Sequence, residues 1–166
     1  MKHESPISLG QAPPAPPPAD GAAAVSAATL SRAAATGTIY CGVVFAAGFV
    51  LGAMRVFVLV PTIGDLAAVL VEMPFILGIS VFVASRLIGI MRVGDTIAER
   101  LTMGASALAL LLVVETGFAM VLTGQPLTQQ LATYGRLDKL VGLAGQIVFA
   151  ALPALLLVVR RGSAGR

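Results

Sequence analysis

Four polar side chains interrupt apolar stretches of the sequence: Arg55, Glu72, Glu115 and Gln146. A charge at the centre of a bilayer costs at least ~2.5–3.5 kcal/mol, so such a side chain needs a partner or a function. Arg55 could pair with Glu72 or with Glu115. One arginine neutralises one carboxylate, so the other carboxyl group is expected to stay protonated, because desolvation favours its neutral form. The group could hold a proton, an ion or a polar head group, or fix the helix register as a satisfied network. Both interpretations stay open.

The sequence lacks the residue patterns of a metal site, a phosphate-binding loop or a catalytic nucleophile. One cysteine, Cys41, and one histidine, His3, cannot form a Cys/His metal site, and Cys41 is expected to be a small buried apolar residue. No phosphate-binding loop of the form GxxxxGK[ST] is present. No set of nucleophile and base stands in the apolar runs, so we expect neither an enzyme nor a cofactor.

The elements that carry the four side chains are predicted to be transmembrane helices. The chain is 57% hydrophobic and only 11% charged, whereas a soluble domain has roughly 25% charged residues. Its apolar runs cover residues 38–60, 66–88, 101–122 and 140–159, each close to the ~20 residues that cross a bilayer. We expect an all-α transmembrane four-helix bundle made of two helical hairpins, with the lipid bilayer as its partner.

The remaining segments are predicted to be tails and loops. Residues 1–36 are rich in Pro and Ala, include the stretch Gln11–Pro18 of polyproline type, and are expected to form a disordered tail. A short helix between Ala22 and Ala35 is the alternative. The transmembrane domain covers residues 37–161, and 162–166 form a short tail. Pro61 to Asp65 predict a tight turn, and residues 92–100 a polar loop.

The distribution of basic residues predicts the orientation. The net charge is +3, and the basic side chains flank apolar runs rather than forming a stripe with aromatic residues, so nucleic acid is excluded as a partner. One side would carry Arg32, Arg86, Arg92, Arg100, Arg160, Arg161 and Arg166; the other carries Arg136 and Lys139. The positive-inside rule places both termini in the cytoplasm. In a bacterium this means the inner membrane.

Helical geometry predicts that the four polar side chains converge. At ~1.5 Å per residue, all four lie about two turns or less from the outward ends of their spans. Gly48 and Gly52 form a GxxxG pair in register with Arg55, which favours close helix packing. Gly142 and Gly145 are assigned the same packing role in the fourth span. The polar side chains should therefore form one layer in the outer half of the membrane.

Several segments resemble a known group of proteins. They are Gly48-Phe-Val-Leu-Gly-Ala-Met-Arg55, Pro61-Thr-Ile-Gly64, Glu72-Met-Pro74, Arg100-Leu-Thr-Met-Gly104 with Glu115, and Gly142-Leu-Ala-Gly-Gln146. Over roughly residues 45–155 the chain is similar to small, uncharacterised four-span bacterial inner-membrane proteins with no assigned activity. The resemblance implies the four-span fold and the bacterial inner membrane, and it brings no mechanism.

The sequence favours a non-enzymatic accessory or assembly subunit, with another membrane protein as its partner. The alternative is a small proton- or ion-coupled transporter or channel component that acts as a homo-oligomer. A membrane enzyme that acts on lipid ranks third. It would need a cavity through which water and substrate reach Glu72 or Glu115.

Overall fold

The described residues form a bundle of helices. The computed structural model describes residues 25–132 and 135–165, without the side chains of Gln130 and Ala164, and within these ranges every regular element is helical. The elements are α1 (Ala27–Met54), a π-helical turn (Arg55–Leu59), α2 (Val60–Ile63), α3 (Asp65–Ile90), α4 (Ile97–Thr123), α5 (Leu127–Ala132) and α6 (Leu137–Ala164).

Four segments are long and apolar enough to cross a membrane: Ala27–Ile63, Asp65–Ile90, Ile97–Thr123 and Leu137–Ser163. Their outer faces expose large apolar side chains, among them Phe57 and Val121, which are 80% and 83% exposed. A surface of this kind is covered by lipid rather than by water. The predicted transmembrane four-helix bundle is confirmed.

The four long helices form a closed ring of contacts. α1 packs against α3 and α4, and α6 packs against the same two helices. α1 and α6 therefore lie on one diagonal of the bundle, and α3 and α4 on the other. The predicted hairpins are neighbours in this ring, because α1 pairs with α3 and α4 pairs with α6.

The corner between the first two spans is tighter than the sequence suggested. The first span continues through Pro61 to Ile63, and Gly64 alone, at φ +79°, turns the chain before Asp65 begins α3. Proline has no N–H to donate, and the π-helical turn lies directly before it. The Thr62 hydroxyl donates to the carbonyls of Val58 and Leu59, both at 2.9 Å, which satisfies backbone groups of this turn.

Helix α1 begins well before the predicted span. Ser26 caps its N-terminus by accepting a hydrogen bond from the Thr29 amide at 3.2 Å. Residues 27–36 are therefore helical rather than part of the tail, because alanine favours helix and Ala33 is fully buried. The alternative of a helix in this region is correct from residue 27 onward. The polyproline stretch lies outside the described residues.

The tightest packing lies in the half of the bundle that holds the start of α1 and the end of α6. The Tyr40 ring stacks on that of Phe149 at 4.4 Å between centroids, and its hydroxyl donates to the Phe149 carbonyl at 3.3 Å. This contact joins α1 and α6 across the diagonal. Cys41 and Met103 are buried beside it, as expected for Cys41. The other half of the bundle, nearer Gly64, is more open.

Candidate functional site

The half of the bundle nearer Gly64 contains a partly open cavity of about 670 Å³. Its lining comes from α1, α3, α4, α5 and α6, and from the π-helical turn. Ser80 and Phe149 line its inner end, and Asp138 and Lys139 line the end where α6 begins. All eight residues that the sequence singled out border it: Gly48, Gly52, Arg55, Glu72, Glu115, Gly142, Gly145 and Gln146.

Arg55 and Glu72 form an ion pair between the first two spans. The Arg55 Nε lies 2.7 Å from Glu72 Oε2, and the two side chains are 27% and 17% exposed. The angle at this nitrogen is not that of a hydrogen bond, although the atom is shielded from solvent. Of the two partners that the sequence left open, the structure pairs Arg55 with Glu72.

Arg55 stands at the first position of the π-helical turn. Its carbonyl accepts from the Val60 amide, the five-residue spacing that defines a π-helix. Single π turns inside α-helices occur often at functional sites. Here Pro61 accounts for the turn, and the turn sets the position from which Arg55 reaches α3.

Glu115 and Gln146 form the second pair, between α4 and α6. The Gln146 amide Nε2 donates a hydrogen bond to Glu115 Oε2. The Gln146 Oε1 is shielded from solvent and has no hydrogen-bond partner among the described residues. Glu115 itself is exposed to the cavity. The four polar side chains thus form one ion pair, Arg55–Glu72, and one amide–carboxyl hydrogen bond, Gln146–Glu115. Both pairs line the same cavity.

The other carboxylates at this end have a basic partner. Arg136 contacts Asp65 at 2.6 Å and Asp138 at 3.0 Å, which ties the start of α3 to the start of α6. The hydrogen bonds to Asp138 and then Asp65 raise the pKa of the Arg136 guanidinium. Among the carboxyl groups that line the cavity, Glu115 alone has no ion pair within the described residues.

The four predicted packing glycines border the cavity in different ways. A Cβ at Gly52 or Gly142 would meet no atom within 4 Å, and one at Gly48 would meet the Ile76 Cδ1 at 3.5 Å. At Gly145 a Cβ would lie 2.4 Å from the Met73 sulfur. At Gly52 and Gly142 the missing side chains leave open space next to the cavity, and no helix makes a close contact there.

The closest helix contact lies at a glycine that the sequence did not single out. A Cβ at Gly104 would lie 1.8 Å from the Ala150 carbonyl oxygen, so α4 and α6 touch backbone to backbone. Small residues are enriched at such contacts in membranes. In the sequence, the run of small residues from Gly104 to Ala107 could have indicated this close helix contact.

A buried charged cluster at the opposite end was also missed. The sequence placed Glu99 and Arg100 in a polar loop, but both lie in the first turn of α4 and are only 4% and 2% exposed. The Arg100 Nε donates to the Gly94 carbonyl at 2.9 Å, and its Nη2 contacts Asp95 at 2.8 Å. Arg100 therefore holds the connection between α3 and α4 against the helix end.

The sequence carried a signal for this helix start. Thr96 is the N-cap of α4; its hydroxyl oxygen accepts from the Glu99 amide at 3.2 Å and donates to Glu99 Oε2 at 2.7 Å. Thr96-x-x-Glu99 is the spacing of a capping box. In a helix that begins at this cap, Arg100 lies one turn after Thr96, within the helix rather than in the preceding loop.

The polar groups of the cavity lining are mainly its charged side chains and Gln146. The described residues include no group of three or more His, Cys, Asp or Glu side chains that could hold a metal ion. A cavity carboxylate can take up a proton or hold a cation, and its protonated form can release the proton again. The arrangement therefore suits reversible binding of a proton or a cation.

The chain was compared with protein families, curated proteins and solved structures. No family model matches the chain, and neither a curated protein nor a solved structure matches it.

Proposed function

We propose that the protein binds protons or cations within the membrane, as a small carrier or channel component. The observation that carries this proposal is Glu115, which lines the cavity without a basic partner among the described residues. A carboxyl group inside a membrane protein that has no fixed counter-charge is free to change its proton or its bound cation. On the sequence alone this function ranked second, and the cavity now favours it.

The two pairs have different roles in this proposal. Arg55 holds Glu72 at 2.7 Å, so this ion pair joins the π-helical turn of the first span to α3. Gln146 offers Glu115 one neutral hydrogen bond, which orients the carboxyl group without neutralising it. Proton or cation binding therefore belongs to Glu115, and the Arg55–Glu72 pair is structural.

Transport would require access from both sides of the membrane. The cavity occupies the half nearer Gly64, whereas the other half is closed by the packed side chains around Tyr40 and Phe149. A single bundle in this state offers its carboxyl group to one side. We infer that transport involves a second conformation or a second copy of the chain, as a homo-oligomer.

Flux through reconstituted protein tests the role of Glu115. The purified full chain in liposomes should dissipate an imposed proton or cation gradient, and Glu115→Gln should reduce the rate at least about tenfold, because the amide can neither release a proton nor carry a charge. The control is Asp65→Asn, which removes a carboxylate at the same end but outside the cavity lining. Its rate should match that of the wild type.

Two results would overturn this assignment. One is unchanged flux in Glu115→Gln, and the other is equal loss in Asp65→Asn. No flux from the wild-type protein, together with a stoichiometric partner that co-purifies in mild detergent, would support the second candidate, a non-enzymatic accessory or assembly subunit. The observation that favours this candidate is the Arg55–Glu72 pair, which satisfies two charges within the bundle.

We propose that the protein lies in a bacterial inner membrane with both termini in the cytoplasm. The structure describes six of the arginines on that side, and they lie at the end of the bundle with the chain termini: Arg32, Arg86, Arg92, Arg100, Arg160 and Arg161. The excess of basic residues at this end supports the orientation. The Gly64 corner and the cavity would then face outward.

Cysteine labelling in intact cells tests the orientation. Cys41 is only 2% exposed, so the natural thiol should give little background. Gln125→Cys, between α4 and α5, should react with a membrane-impermeant maleimide, whereas Ser163→Cys, near the end of α6, should react only after lysis. The reverse pattern would place the termini outside.

A further inference from the structure

Aromatic rings line the cavity next to the unpaired carboxyl group. Phe118 meets Phe49 at 5.5 Å and Phe45 at 6.5 Å between ring centroids, with the rings nearly perpendicular. All three side chains line the cavity, as does Phe149 at its inner end. Phe118 follows Glu115 by three residues on α4, so the two share a helix face.

The charges of the lining favour a positive occupant. Two basic residues, Arg55 and Lys139, line the cavity against three acidic ones: Glu72, Glu115 and Asp138. Arg55 is already held by Glu72, and Asp138 is held by Arg136, so Glu115 is the lining carboxyl group without an ion pair among the described residues. An entering anion would be repelled by the negative charge of the Glu115 carboxylate. A cation would be attracted by this carboxylate and by the faces of the aromatic rings.

The size and apolarity of the cavity favour an organic occupant. Cavities that bind small organic molecules usually measure about 300–1,000 Å³ and are mostly apolar with a few polar groups, and this cavity of about 670 Å³ lies within that range. Leu111, Ile76 and Leu143 supply apolar lining beside the rings. A hydrated inorganic ion would leave these surfaces without a partner.

We propose that the cavity binds a hydrophobic organic cation, with its charge at Glu115 and its apolar body against Phe118 and the neighbouring rings. This inference rests on the proposed function and names the substrate class of the same site. With the cation bound, the charged form of Glu115 is the counter-charge, so protons and the cation compete for the same carboxyl group.

Binding of tetraphenylphosphonium to the purified full chain in detergent tests the proposal. Tetraphenylborate is the matched probe, since it has the same shape and the opposite charge. The phosphonium should bind saturably and more weakly as the pH falls, because protons compete for Glu115, and the borate should not bind. Glu115→Gln should weaken binding at least about tenfold. Phe118→Leu should weaken it to a smaller extent, and Asp65→Asn should leave it unchanged.

Equal binding of the two probes to the wild type would overturn the proposal, and this comparison needs no variant to fold. Unchanged affinity in a folded Glu115→Gln protein would overturn it as well. If inorganic cation or proton flux depends on Glu115 and the phosphonium does not bind, the substrate class is wrong and the proposed function stands. If flux is independent of Glu115 too, both fail.

Discussion

Gly104→Ala is expected to lower the free energy of unfolding by about 3 kcal/mol, at the upper end of the cost of overpacking. The added Cβ would lie 1.8 Å from the Ala150 carbonyl oxygen. This neighbour is backbone rather than the flexible end of a side chain, so α4 and α6 have to move apart. The contacts of Met103 and Phe149 in the buried core around them weaken at the same time. Unfolding of the detergent-solubilised protein by denaturant measures the loss.

Gly117→Ala is the matched control on the same helix. A Cβ there would meet no atom within 4 Å, and Gly117 lies inside α4, where alanine is better by about 0.8–1.0 kcal/mol. This variant should be as stable as the wild type or more stable. If Gly104→Ala behaves like Gly117→Ala, the backbone contact between α4 and α6 is looser than the structure has it.

Hydropathy predicts the fold because the lipid environment leaves few choices. A chain with four apolar runs must satisfy its backbone hydrogen bonds within each run, and helices do so. The start of α1 was harder to predict, since the Ala-rich segment from Ala27 is apolar and helix-forming but adjoins a Pro-rich stretch. What decides it is burial of Ala33 and Thr36 against α4, a tertiary contact that local composition does not reveal.

Helical spacing predicts which polar residues share the site but not how they pair. Residue counts place Arg55, Glu72, Glu115 and Gln146 at similar depths, and all four line one cavity. The ring order of the helices does not choose the partner of Arg55, because α1 is a neighbour both of α3, which carries Glu72, and of α4, which carries Glu115. The cavity itself depends on how far the helices separate, which no local pattern encodes.

The π-helical turn at Arg55 could be predicted from the sequence only in part. Pro61 predicts a disturbed helix, and the sequence indicated that the first span ends there. The helix continues instead. The wider π-helical turn before Pro61 accommodates a residue without an N–H, and the Thr62 hydroxyl donates to the nearby carbonyls. A proline near a membrane surface can therefore mark a change of helix type rather than a helix end.

Arg100→Ala is expected to lower the free energy of unfolding by about 1–3 kcal/mol, the usual cost of leaving a buried hydrogen-bonding group without its partner. The Arg100 guanidinium is only 2% exposed in its side chain and binds the carbonyls of Gly94 and Val93 as well as Asp95. Its removal leaves a cavity and two carbonyls without this donor. The stability of Arg100→Lys should lie between that of the wild type and that of Arg100→Ala, because an ammonium group lacks the planar fork of donors.

Two measurements separate this network from a general effect of charge. Arg32→Ala removes an exposed arginine at the same end of the bundle and should change stability little. The connection between α3 and α4 contains the exposed Arg92, so trypsin should cleave after it faster in Arg100→Ala than in Arg32→Ala. Equal stability and equal cleavage in the two variants would mean that Arg100 does not hold this connection, and that the Arg161 contact with the Asp95 carbonyl is sufficient.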